Sequence, residues 1–147
     1  MATEISERFE AIEECYEFML AYAAKGLPSE QGSESGRQLR EFLNRAVAAL
    51  AGLAESCSTA FGDESPIFLA VLNRDARGSF AAIELVLAQP AISSQLIDNL
   101  NASMHLRALL TDVFLIGEVL RTQPPTAKSA ARGAQPTEQE KAAVSTP

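Results

Sequence analysis

The residues able to do chemistry in this chain are few and scattered. Among 147 residues there is one histidine, His105, and two cysteines, Cys15 and Cys57. General base catalysis needs a carboxylate within hydrogen-bond reach of the imidazole. Asp112, seven residues on and on nearly the same face, lies two helical turns from His105. A protein zinc site ordinarily takes about four His or Cys ligands, and a carboxylate di-iron bundle takes Glu-x-x-His on two helices. The chain has too few of the first and none of the second. No phosphate-cradling glycine loop, dinucleotide fingerprint, nucleophile elbow or HExxH is present. The expectation is a protein that is not an enzyme and uses no cofactor and no metal.

The cysteines invite a redox role that helix geometry opposes. If the first two helices form an antiparallel hairpin about residue 30, Cys15 stands level with residue 45. Cys57 is then ~18 Å further along, at 1.5 Å per residue, far beyond the ~7 Å a disulfide spans. Cys57 also falls on an apolar face, where a thiol behaves as a small hydrophobe.

Charge placed among apolar residues is the better polar signal. Arg74, Asp75 and Arg77 interrupt the most apolar segment of the chain, and Arg107 interrupts the apolar face of the last one. Buried charges must be paired, and Asp75 with Arg74 or Arg107 is the ordinary solution. The alternative is a polar pocket of Arg74, Asp75, Arg77, His105 and Arg107. Its guanidiniums would suit a small anionic or amphipathic ligand.

A second signal is acidic. Net charge is −7, and residues 1–25 hold six glutamates against Arg8 and Lys25, a net −4. Such a chain has no general attraction for a nucleic-acid backbone. The glutamates cover the side of the first helix away from its apolar face, beside Phe18 and Tyr22. Glu10, Glu14, Glu17, Phe18 and Tyr22 therefore form a candidate partner surface, with intramolecular cover of Phe18 as the competing reading.

The elements positioning these residues all read as helices, because Ala, Leu and Glu dominate and no segment alternates with period two. The first runs from about Glu4 to Lys25. It is capped by Thr3, carries Ile5, Phe9, Ile12, Tyr16, Met19 and Ala23 on one face, and is stopped by Gly26 and Pro28. The second spans about Ser35–Ala60, with Leu39, Phe42, Leu43, Ala46, Leu50, Leu53 and Cys57 on its apolar side, and ends at Gly62-Asp63. Ser65-Pro66 opens a third, Pro66–Ala88, read as continuous but irregular through Asn73–Ser79. After Gln89-Pro90 a last stretch, Ala91–Arg121, is one helix or two, with any join near Asn99–Ser103. The predicted fold is all-α, a four-helix-bundle-like single domain of four to six helices over residues 1–121. Residues 122–147 hold four of the seven prolines and no Phe, Tyr, Leu, Ile or Met, which predicts a disordered tail.

No apolar run reaches the ~20 residues of a membrane span, and the N-terminus is acidic where a targeting peptide is basic. A cytoplasmic protein without membrane contact is expected. Two functions from different classes follow. One is a non-catalytic interaction protein (adaptor, assembly factor or regulator) of unidentified protein partner. It would self-associate through Ile67–Leu72 or Val113–Leu120, its glutamates steering a basic partner. The other is a ligand-binding or sensor bundle using the arginine pocket. Deletion of everything from Thr122 onward is expected to leave the melting temperature nearly unchanged in a calorimetric scan. A clear fall would refute the tail reading.

Overall fold

The computed structural model describes residues 2–61 and 65–122. Among these residues six helices and no strand are present: α1 (Ala2–Ala24), α2 (Glu34–Ala51), α3 (Leu53–Phe61), α4 (Pro66–Leu87), α5 (Ser94–Ala102) and α6 (Met104–Thr122). The chain is all-α. The tail from residue 123 and the Gly62-Asp63 stop lie outside the described residues. No described helix is long and apolar enough to cross a membrane. The chain divides into two compact units, Met1–Val113 and Phe114–Pro147. The described part of the second is the C-terminal portion of α6.

Within the first unit, α1 and α2 form the expected antiparallel hairpin. Glu14 pairs with Arg45 at 3.2 Å, the Phe18 and Phe42 rings stack with centroids 4.7 Å apart, and Lys25 donates to Ser35 Oγ at 2.7 Å. These contacts share one register about residue 30. The buried face of α1 is Ile5, Phe9, Ile12, Cys15, Met19 and Tyr22. Cys15 and Tyr22 thus take the places expected for Tyr16 and Ala23, a small rotation of the predicted stripe. Helix α1 begins at Ala2, which puts Thr3 inside the helix rather than at its cap.

Two predicted segments are each split. The second helix stops at Ala51, with Gly52 as its C-cap. The cause is Arg8, whose Nη1 donates to the carbonyls of Ala48 and Ala49 at 3.2 and 3.0 Å. Those carbonyls are among the last of α2, which have no partner within the helix. A Cβ at position 52 would lie 2.6 Å from the same guanidinium, so a side chain there would have to push Arg8 aside. The last segment breaks at Ser103, inside the expected window, where extended dihedrals interrupt the helix. By contrast α4 runs unbroken through Asn73–Ser79. Asn73, Arg74 and Arg77 form its outer face, and Ala76 and Ser79 are buried.

The loops are tied by one polar knot. Glu30, 5% exposed, accepts a hydrogen bond from the Ile92 N–H and a 2.9 Å bond from Arg40. Arg40 also donates to the carbonyls of Leu87 and Gln89. Burial alone would raise the Glu30 carboxyl, but the Ile92 N–H and the Arg40 guanidinium outweigh it and hold it below its ordinary value. Next to it the Tyr22 hydroxyl donates to the Ile92 carbonyl at 2.7 Å. Ser94 Oγ donates to the Tyr22 carbonyl at 2.6 Å and accepts from the Leu27 N–H at 2.8 Å. The α1–α2 loop is thereby fastened to the α4–α5 loop.

Helix α2 enters this knot at closest approach: a Cβ at Gly36 would sit 1.6 Å from the Glu30 carbonyl oxygen. Gly36→Ala is expected to destabilise by about 3 kcal/mol or more, since the backbone must move to admit the methyl. Gly117→Ala, where a Cβ meets nothing within 4 Å, should instead stabilise by up to about 1 kcal/mol through helix propensity. Urea denaturation of the two variants checks the opposite signs.

Candidate functional site

The carboxylates meeting between α4 and α6 form the most unusual polar constellation in the first unit. Helix α6 presents Leu106, Leu109, Leu110 and Val113 to the core. Asp112 lies among them at 6% exposure, and its buried Oδ2 has no hydrogen-bond partner. It faces Asp75 of α4, whose side chain is 12% exposed and has Arg74 Nε 3.7 Å away. Burial first, then hydrogen bonding to Asp75 and its negative charge, push the Asp112 carboxyl up to about 7, against a weaker opposing pull from Arg74. A carboxyl kept neutral near physiological pH can donate a hydrogen bond, which an ionised one cannot.

The helices that hold this pair are drawn together one to two turns away. Ser79 Oγ donates to the His105 carbonyl at 2.9 Å. The His105 ring packs over Gly78, with Nδ1 2.9 Å from where a Cβ would stand. Glycine at position 78 thus leaves room for the His105 ring at the start of α6.

The predicted arginine pocket is not assembled. Arg74, Arg77, His105 and Arg107 are exposed. Arg74 borders a shallow surface depression with Pro66, Ile67, Ala70 and Val71 of its own helix, and Arg107 borders another with Met104, Ala108 and Thr111 of α6. The reason is the break at Ser103. Arg107 interrupts an apolar face only when that face is carried through from α5 as though the helix were continuous. The break resets the helical phase, so the buried stripe becomes Leu106, Leu109, Leu110 and Val113 and Arg107 turns to solvent. Asp75 has Arg74 beside it, as the pairing reading expected, and Arg107 takes no part.

The proposed partner surface on α1 is also dispersed. Tyr22 is 0% exposed and bonded to Ile92, and Phe18 is covered by Phe42, over which Arg45 stacks at 5.6 Å. Glu10 and Glu17 remain exposed, and Glu14 is tied to Arg45. What remains for a partner is a row of glutamates without its aromatic anchors. The sequence reading missed Glu30, because an acidic residue in a polar loop carries no signal of burial. It also treated Asp112 only as a possible partner for a base. Leu109, Leu110 and Val113, at core spacing around it, were the signal of its burial.

Among the described residues no three His, Cys, Asp or Glu side chains gather in a way that would hold a metal ion. Asn101, 8% exposed, has both amide atoms buried without partners. Cys15 and Cys57 are both free and buried, and burial pushes their thiols up to about 12 and about 11. No protein-family model, curated protein or solved structure matches the chain.

A thiol with so little thiolate character, shielded from solvent, is a poor nucleophile. Native protein is expected to react negligibly with a maleimide or disulfide reagent at neutral pH, and unfolded protein to show two reactive thiols. Rapid labelling of either cysteine in the native state would contradict the burial.

Proposed function

We propose that the chain is a small non-catalytic helical interaction protein that pairs with a second copy of itself through the outward face at the end of α6. The observation that carries the reading is an apolar cluster: Phe114, Leu115 and Val119 are 54%, 53% and 45% exposed. Three large apolar side chains in water within two turns of helix are a seam in want of cover. Covering each recovers about 1 kcal/mol.

Charge favours an identical partner at this face over the others. Two copies meeting through α1 would bring Glu7, Glu10 and Glu17 against the same residues. The last turns of α6 instead carry Glu118 and Arg121, paired at 2.5 Å, so the surface is locally neutral. Helix α4 exposes Ile67 and Leu85, at 82% and 67%. These lie ~27 Å apart along the helix, with exposed Arg74 and Arg77 between them. Of the two seams the sequence offered, Val113–Leu120 is therefore favoured over Ile67–Leu72, whose Leu72 is fully buried. The exposed glutamates of α1 would steer a basic protein partner.

Light scattering should return about twice the 15.7 kDa mass of one chain. Leu115→Glu should return the single-chain mass with unchanged helicity by circular dichroism, because the side chain replaced is already half in water. A wild-type chain that stays monomeric at high micromolar concentration would sink the reading.

A further inference from the structure

Helices α4 and α6 meet through one neutral hydrogen bond from Ser79 to His105, the His105 ring over Gly78, and two carboxyl groups that face each other. The charged groups facing Asp112 are Asp75 and Arg74, both from α4. Arg74 is 79% exposed and stands 3.7 Å from Asp75, too loose and too wet to neutralise the pair. Two ionised carboxylates cannot be held together out of water without a cation or a donor between them. The buried Oδ2 of Asp112 has no donor from any other residue. A single proton resolves both problems, since it removes one charge and turns one carboxyl oxygen into a donor toward the other.

We infer that the buried Asp112 carboxyl carries a proton directed at Asp75 across the contact of α4 with α6, and that this proton works as a latch, closing the contact when bound and loosening it when Asp112 ionises. The inference stands independently of self-association.

The direction of the pH dependence follows from linkage. Asp112 keeps its proton in the folded chain up to about pH 7, whereas its ordinary value is 3.8. Between those limits the folded chain binds more protons than the unfolded one, so stability falls as pH rises through the window and levels off above it. This is the reverse of the usual salt-bridged aspartate, which is lost on acidification.

Urea midpoints measured from pH 5 to pH 8, with hydrogen exchange read on residues 104–113, test the latch. The wild-type midpoint should fall across this range. The α6 amides should open up to roughly a hundredfold more often at pH 8 than at pH 5, after correction for intrinsic exchange. Asp112→Asn should show a flat profile and a midpoint above wild type at pH 8. Asp75→Asn should make it shallower without flattening it, because an amide facing Asp112 supplies a donor to the ionised carboxylate while the burial of Asp112 remains. His105→Gln, removing the chain's single histidine, should keep the wild-type slope. A flat wild-type profile, a slope that survives in Asp112→Asn, or a slope abolished by His105→Gln would each overturn the inference.

Discussion

The Glu30 carboxylate sits almost out of water between two loops, and most of the first unit's connectivity depends on satisfying it. Its donors come from far along the chain, the Ile92 N–H on one side and the Arg40 guanidinium on the other. Arg40 in turn occupies the carbonyls of Leu87 and Gln89 at the end of α4. One buried charge thereby fastens the start of α2, the end of α4 and the approach to α5. A buried acid costs several kcal/mol unless hydrogen bonds surround it. The geometry of the loops is therefore dictated as much by this group as by turn propensity. The close approach at Gly36 and the Tyr22–Ile92–Ser94 bonds are arranged around the same point.

A second long-range polar contact shapes α2. Arg8 leaves α1 to hold the carbonyls at the end of that helix, and the chain turns at Gly52 into α3. Arg8 is also paired with Glu4 at 3.1 Å, and Glu4 accepts a hydrogen bond from Ser56 of α3 at 3.0 Å. Ser56 and Arg8 together hold the Glu4 carboxyl below its ordinary value. The glutamate side of α1 is thus partly structural, with Glu4 and Glu14 tied to other residues while Glu7, Glu10 and Glu17 are exposed surface. The Asp75 and Asp112 pair differs in kind, because there like groups meet and a proton, not a guanidinium, has to reconcile them.

Much of the helical content was legible because it rests on short-range periodicity. The spacing of Ile5, Phe9, Ile12 and Met19 marks a buried stripe whatever that stripe packs against, and Gly26 with Pro28 ends α1 for local steric reasons. Gly26 adopts φ 64°, where a side chain is strained. The hairpin register about residue 30 followed from loop length alone. The candidate sites were far less legible. Whether Arg107 points inward depends on helical phase, and one break at Ser103 resets that phase for every residue after it. Whether Phe18 is a docking anchor depends on whether Phe42 lies opposite, and that is a property of the hairpin rather than of either helix.

The sequence by itself determined the all-α class, the hairpin of the first two helices, the continuity of α4 and the inward place of most apolar side chains. These follow from propensities and spacings that act within about one helical turn. Only the tertiary structure decided which polar groups are buried. Glu30 and Asp112 carry no local mark separating them from the exposed acids, since burial of a charge is set by donors and acceptors contributed from remote segments. Glu30 meets a guanidinium and a backbone N–H, whereas Asp112 meets another carboxyl. That difference in partner, invisible along the chain, makes one a structural anchor and the other a titrating group.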